Sequence, residues 1–272
     1  NYMAYWNIEK AVEYCEYLKA NKKEIYERLD SCLDLTAAYR EWQDKKDKIY
    51  LPKAREKDGV IPQDKTYLTL NNIDLTKYKN QDQVGTMFFD YNLEQVNKIQ
   101  VSKQADIMIL FFLLEGRFSL DVKRANWNYY EPRTLHDSSL SLSTHCVLAS
   151  DMGDRAMAYD LYKRASRIDL GENMKSSNEG IHSASIGGIW QCIVYGFGGV
   201  RMVNGNLRIE PRLPESWKEL RFTIHWKGQE LRITIDKQKL IIENLTGKEE
   251  VAFLHGGSTH KLLHKLELAI ND

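Results

Sequence analysis

The sequence predicts a mainly α-helical chain that ends in a small β domain: part of an (α/α)6 barrel followed by a C-terminal antiparallel β-sheet domain. Three observations carry this. Apolar residues recur at helical spacing through most of residues 1–197, and beyond Gly198-Gly199 the period changes to two. The helical stretches are joined alternately by short and long connections, the pattern of an α/α toroid. About six or seven helices fit before Gly198, roughly half of the twelve that close such a barrel.

The elements follow in order. Ala4, Ile8, Ala11, Val12, Cys15 and Leu18 mark an amphipathic helix over 1–20. A short helix covers about Lys22–Leu29. A third runs from about Thr36 to Lys48, capped by Asp34 or Thr36 and broken at Leu51-Pro52. Residues 51–91 read as irregular, with a β-leaning Tyr67–Leu70, and so long a loop points to function. Asn92 caps a helical stretch through Leu93, Val96 and Ile99, which resumes as Ala105–Leu114 and stops at Gly116. A loop is expected at Asn126–Arg133, carrying Trp127, Tyr129 and Tyr130. Helices are expected at Ser138–Ser150, Asp154–Ile168 and Ser183–Phe197. Strands are expected at 200–210, 220–226, 230–236, 239–244 and 250–254, with Asn204-Gly205 as a hairpin turn. A boundary near Gly199 therefore divides the chain into 1–199 and 200–272.

Composition narrows the function. The 272 residues balance to zero formal net charge, which recommends neither nucleic acid nor an anionic membrane as partner. The longest apolar run, Ile107–Leu114, is too short to span a bilayer. Cys15, Cys32, Cys146 and Cys192 form no C-x-x-C pair and suit neither zinc nor a disulfide framework, so a reducing cytoplasm fits. His145, His225, His255, His260 and His264 show no ligand spacing, and no metal is expected. The six Trp and fifteen Tyr suit stacking on sugar rings, and equally a core. The chain opens on Asn1-Tyr2-Met3 inside a helical pattern, as a piece of a longer protein would.

Three constellations could carry chemistry. Asn178–Trp190 places Gly180, His182, Ser183 and Ser185 at a helix start, where free amides and the helix dipole favour an anion. The alternative is a capped helix whose Gly187-Gly188 permits close packing. Arg133–Ser141 offers Ser138 and Ser139 for phosphate or sugar, or simply as helix caps. Lys103-Gln104 offers a charge and an amide for sugar hydroxyls, or a solvated helix end.

Taken together, Ser102–Ile107, Tyr130–Ser141, Ala165–Leu170, Asn178–Gln191, Gly196–Arg201 and Arg208–Pro214 resemble, in order and spacing, the bacterial maltose, trehalose, kojibiose and nigerose phosphorylases, the inverting α-glucoside phosphorylases of glycoside hydrolase family 65. The resemblance implies the second half of the barrel plus the C-terminal domain. It implies phosphorolysis of an α-linked glucose disaccharide with inversion, to β-glucose 1-phosphate and glucose. It implies Lys103 and Gln104 as contacts to the transferred glucose. Ser138, Ser139 and His182 follow as phosphate contacts, with Gly180 through its backbone and Ser185 through its hydroxyl. Inorganic phosphate is the co-substrate, and no cofactor is expected. The family's acid lies in a stretch whose tail Asn1-Tyr2 resembles, so the general acid is expected upstream. Glu131 and Glu179 are better read as capping, ion-pairing or loop residues. Partners expected are the disaccharide, phosphate, the N-terminal portion of the same enzyme and a second copy in a homodimer. Two other readings stand beside this one: an inverting α-glucoside hydrolase of trehalase or kojibiose hydrolase type, and a non-catalytic carbohydrate-binding α-toroid module.

Overall fold

A computed structural model describes residues 1–79, 81, 83–170 and 180–270. Packing divides the chain into two units, Asn1–Ala54 and Arg55–Asp272. The division falls just after the Leu51-Pro52 break.

The first unit is three helices, α1 (Tyr2–Asn21), α2 (Lys23–Leu33) and α3 (Leu35–Lys48). Val12, Cys15 and Tyr26 are its buried residues. Asp34 makes the turn between α2 and α3 in the left-handed region, φ 49°, and its carboxylate accepts from the Ala37 amide at 3.4 Å, so it is the cap. Asp30 reinforces the corner by accepting from the Thr36 amide at 2.7 Å. The outer face of α3 carries Glu41–Lys45 and Asp44–Lys48 pairs at i, i+4, the favourable order along a helix.

The second unit begins with the long irregular segment, which is ordered by capping turns rather than by strands. Tyr67–Thr69 forms a 3-10 turn, where the sequence leaned toward β. Asp64 there accepts from the amides of Thr66 and Tyr67 at 2.7 and 2.9 Å, and that local capping bends the chain. Beneath it Leu75, Tyr78, Met87, Ile99 and Leu135 form a small core. Helix α4 (Leu93–Val96) starts on a full Asn92/Gln95 capping box but lasts only one turn. The chain then runs out to pair Ile99 with Asn71 and Ser102 with Thr134, so the expected continuous helix from Asn92 is split.

Helices α5 (Asp106–Leu113), α6 (Leu120–Tyr130), α7 (Ser141–Met152), α8 (Arg155–Ala165) and α9 (Ser183–Gln191) follow. Helix α6 replaces the expected loop at Asn126–Arg133. Asparagine is a poor helix former, but Asn126 is fully buried and its amide is spent on the preceding segment. It accepts from the Ile61 amide at 2.8 Å and donates to the Gly59 carbonyl at 2.9 Å. Tyr130 donates to the Ile61 carbonyl at 2.7 Å. Helix α7 starts at Ser141 rather than Ser138, and Ser141 through Ser150 are all buried, so it is the central helix of this unit. Gly153 ends it at φ 84°, and Asp154 caps α8. Helix α9 passes into a π-helical turn, Cys192–Phe197. It packs tightly on α7: a Cβ at Gly188 would lie 2.5 Å from Ser143 Oγ, so the close-packing reading of that glycine holds.

Among the described residues, eight strands form two four-stranded sheets, ordered β1-β2-β6-β7 and β3-β4-β5-β8. Their ranges are β1 Val200–Val203, β2 Asn206–Ile209, β3 Glu219–Trp226, β4 Gln229–Asp236, β5 Lys239–Asn244, β6 Val251–His255, β7 Ser258–Leu262 and β8 Lys265–Ala269. Their pairing is antiparallel except between β2 and β6. Asn204-Gly205 turns the first hairpin with both φ positive, as expected, and Lys227-Gly228 does the same between β3 and β4. Strands β7 and β8 went unread because their polar, Lys- and His-bearing faces blur the alternation. Leu231, Ile233 and Ile235 on β4 are wholly buried. Arg201, 5% exposed, ties the sheets to the helices by reaching Asp151 at 3.0 Å and Glu115 at 3.1 Å.

Candidate functional site

The turn that carries Lys103 and Gln104 is fixed by its neighbours. Ser102 donates its amide to the Arg133 carbonyl and accepts from the Leu135 amide, both at 2.9 Å. This lays residues 102–104 beside the loop at 134–138. Both Lys103 and Gln104 are exposed, just ahead of α5. Gln104 Oε1 accepts from Ser138 Oγ at 2.6 Å, which joins two candidate residues 34 positions apart. Ser138 Oγ also receives the Leu140 amide at 3.4 Å, which leaves its proton for Gln104. Ser139 beside it is half-buried. Asp137 accepts from the Gly85 amide at 3.1 Å. Burial raises its pKa against the opposing pull of that amide and of Lys103.

The other candidates lie at the start of α9. Asn178 and Glu179 fall outside the described residues. Gly180 takes φ 91° and is exposed. His182 is the residue before the helix, and its ring Nδ1 meets Asp169 Oδ1 at 2.8 Å, while its amide also donates to that carboxylate. The hydrogen bond from His182 holds Asp169 below its ordinary pKa. An ionised Asp169 accepts a hydrogen bond from Nδ1–H, so the proton of a neutral ring sits on Nδ1 and Nε2 is the other ring nitrogen. Ser185 is buried, and its amide donates back to the His182 carbonyl at 2.9 Å. The amides of Ser183 and Ala184 have no intrahelical acceptor. No hydrogen bond among the described residues joins His182 or Ser185 to Ser138, Ser139, Lys103 or Gln104.

One cluster escaped the sequence reading. Glu131, His136 and His145 are all buried between α6 and α7. Glu131 receives His136 Nε2 at 3.3 Å, His145 Nδ1 at 2.5 Å and Lys79 Nζ at 3.2 Å. Burial alone would raise the Glu131 pKa, but the hydrogen bonds from the two histidines overcome it and hold the carboxyl far below the usual range. Burial pushes His136 down to about 4, and its Nδ1 meets Ser141 Oγ at 2.9 Å. His136 also takes φ 61°, an uncommon conformation for a residue with a side chain. The three donor atoms lie within 4.8 Å of one another, a set of two imidazoles and one carboxylate that could receive a divalent ion. Against that, the carboxylate is already shared between both imidazoles and an ammonium. The residues lie 5 and 9 apart across a helix start, a spacing no ligand motif marks. The pairing of Asp169 with His182 was equally unmarked, although Asp169 lies in a segment that carried the resemblance. Glu131 is thus ion-paired, as read.

The helices and the two sheets define a partial α/α toroid with an appended β domain, bearing polar motifs at the starts of α5, α7 and α9. Residues 1–191 match the glycosyl hydrolase family 65 central catalytic domain, and residues 200–262 match the C-terminal domain of the same family. The chain belongs to glycosyl hydrolase family 65. It is 41% identical to a kojibiose phosphorylase of Halothermothrix orenii over 90% of this chain and 31% of that protein. It is 34% identical to an α,α-trehalose phosphorylase of Thermoanaerobacter brockii over 91% of this chain and 32% of that protein. A solved structure assigned provisionally as a kojibiose phosphorylase from the human microbiome superposes with a TM-score of 0.82 at 28% identity, over 95% of this chain and 36% of that one. The chain therefore spans about a third of the length of these relatives.

Proposed function

We propose that this chain is the C-terminal part of a disaccharide phosphorylase that cleaves an α-linked glucose disaccharide with inorganic phosphate and inversion, giving β-glucose 1-phosphate and glucose. The observation that carries the reading is the half-exposed His182 at the start of α9, whose Nδ1 is braced by Asp169 at 2.8 Å. An inverting hydrolase needs a carboxylate to activate water. Phosphate is already a charged nucleophile and needs positioning and partial neutralisation instead. Asp169 is committed to His182 and is not a free base, which favours phosphorolysis.

In this reading His182 Nε2, Ser138, Ser139 and Ser185, with the Gly180 backbone, hold phosphate. Lys103 and Gln104 hold the transferred glucose, and the Gln104–Ser138 bond sets the two groups in register. The general acid comes from the upstream portion. Residues 1–199 act as the C-terminal half of the barrel and 200–272 as its β domain. Cytoplasmic location and a homodimer belong to the same proposal. Ile109 and Leu113 on α5, and Ile186 and Trp190 on α9, are 46–50% exposed in i, i+4 pairs. Such faces await the remainder of the enzyme.

The test uses the full-length protein with kojibiose, trehalose, maltose and nigerose, with and without phosphate, scoring β-glucose 1-phosphate. Phosphate-dependent product supports the proposal, and equal glucose release without phosphate overturns it. The isolated chain should self-associate and bind an apolar dye. A monodisperse, dye-silent monomer would refute the exposed-face argument.

A further inference from the structure

Where the helices meet β1 and β2, three cations share two carboxylates. Glu115, just past α5, lies 3.1 Å from Arg201 Nε, receives Arg208, and has the Lys123 ammonium at 3.9 Å. Asp151, near the end of α7, is held by Arg201 at 3.0 Å. Glu210 is engaged elsewhere: it accepts from the Gly256 amide at 2.9 Å and faces His255 at 3.8 Å. Arg212 donates to the Pro211 carbonyl at 2.9 Å and forms no ion pair among the described residues. The cations left without a hydrogen-bonded carboxylate are therefore Lys123 and Arg212.

Both line one cleft of about 370 Å³, with Glu115, Asp151, Arg208 and Glu210 also on its wall. Lys123 lies on α6, and its side chain is only 8% exposed. Its ammonium donates no hydrogen bond among the described residues, and Glu115 is the nearest carboxylate there. Nζ is nonetheless not sealed off, so the surface it keeps opens on the cleft it lines. A buried ammonium that makes no hydrogen bond is costly. Burial lowers the Lys123 pKa against the pull of Glu115, and a second negative charge beside it would favour the charged form. The carboxylates on the wall each have partners of their own, which limits their repulsion of an anion.

We propose that this cleft is an oxyanion site, in which Lys123 and Arg212 bind a phosphate group, free or carried by a small phosphate ester. Lysine supplies the compact charge and arginine the planar fork that such a group accepts. The cleft lies at the opposite ends of α5 and α7 from Gln104 and Ser138, and α7 alone is about 18 Å long. It therefore shares no residue with the motifs read as glucose and phosphate contacts, and it stands whether or not those readings hold.

The test is calorimetry on the full-length protein with inorganic phosphate, on a His182→Ala background that removes binding at the start of α9. Phosphate binding that Lys123→Met weakens about tenfold, the scale of one lost charged hydrogen bond, supports the proposal. Arg212→Gln loses no ion pair, so it should fold like its parent and weaken binding about tenfold as well. It decides the matter if Lys123→Met does not fold. No phosphate binding in the His182→Ala background, or unchanged affinity in either folded variant, overturns the proposal. Glucose 1-phosphate titrated in the same way separates the free anion from an ester, the tighter binder being the ligand class. Wild-type crystals soaked in selenate give a second readout. An anomalous peak within hydrogen-bonding distance of Lys123 Nζ and the Arg212 guanidinium supports the site. No peak there, or a peak without binding in solution, which would be an adventitious ion only, overturns it. If the wild-type enzyme shows no phosphate-dependent cleavage, the phosphorylase reading fails on its own and these readouts still decide this one.

Discussion

Glu131 and Asp169 each receive the Nδ1 of an imidazole, from His145 and His182 respectively, and each lies just beyond the C-terminal end of a helix, α6 or α8. One pair is closed to solvent and the other is half-open. Inside, the carboxylate collects every donor within reach, two imidazoles and the Lys79 ammonium, because an unpaired charge there is prohibitive. At the helix start, one imidazole suffices and the carboxylate stays half-exposed. The same two side chains therefore make a closed scaffold in one place and a half-open pair in the other. Burial decides which.

Removing the buried carboxylate should have the largest effect. Glu131→Gln leaves the Lys79 ammonium without its counter-charge and the two imidazoles without their shared carboxylate acceptor, and urea titration should show a loss of about 3–5 kcal/mol. Acid should act on the same cluster. Folded His136 stays neutral down to about pH 4, whereas the unfolded residue protonates near its ordinary value of 6.5. The unfolded chain thus binds the proton first, so stability is full above pH 6.5 and is lost as pH falls toward 4. Between neutral pH and pH 5 the loss should be on the order of 2 kcal/mol, read as a shift in urea midpoint. Glu131, depressed when folded, adds to the loss in the same direction below its ordinary range.

Gly188→Ala tests the contact between α9, which His182 precedes, and α7, which carries His145. Its Cβ would meet Ser143 Oγ at 2.5 Å and Ser143 Cβ at 2.8 Å, an overpacking worth about 1–3 kcal/mol. Ser143→Gly in the same chain should restore most of it. The smallest effect on stability is expected from Asp169→Asn, whose carboxylate is near solvent. Thermal melting should barely change, while the phosphate KM of the full-length enzyme should rise about tenfold as His182 loses its orienting charge. A large drop in melting temperature would erase the distinction drawn between the two pairs.

The sequence carried most of the helices and the polar motifs at the starts of α5, α7 and α9 because these are local. Periodicity located α1 to α3 and the strands β3 to β5, and Asn204-Gly205 marked its hairpin outright. What it did not carry is non-local. Asn126 looks like a loop residue until Ile61 and Gly59 are seen to use its amide. Gln104 and Ser138 each look like solvated polar residues until the Ser102–Thr134 bridge brings them together. The Glu131 cluster draws on residues from 79 to 145, and only packing assembles it. The division at Ala54 is likewise a property of packing: the Leu51-Pro52 break just ahead of it ends a helix but does not by itself mark a unit boundary.

Helix α9 is fastened at its far end. At Gly199, φ 65°, an added Cβ would lie 1.7 Å from the Glu210 carbonyl oxygen, so the chain passes there with no room for a side chain. Ser150 donates to the Gly196 carbonyl at 2.9 Å, and Arg201 anchors the next turn to Asp151. The nine residues of α9, about 13 Å long, lie between His182 and the π-helical turn that carries this anchorage. Mechanically it is a beam pinned at its root, seated on α7 through Gly188, and tied at its start to Asp169. A side chain at Gly199 would have to displace either the Glu210 carbonyl or the chain that leads back into α9, so the joint between helix and sheet tolerates glycine alone.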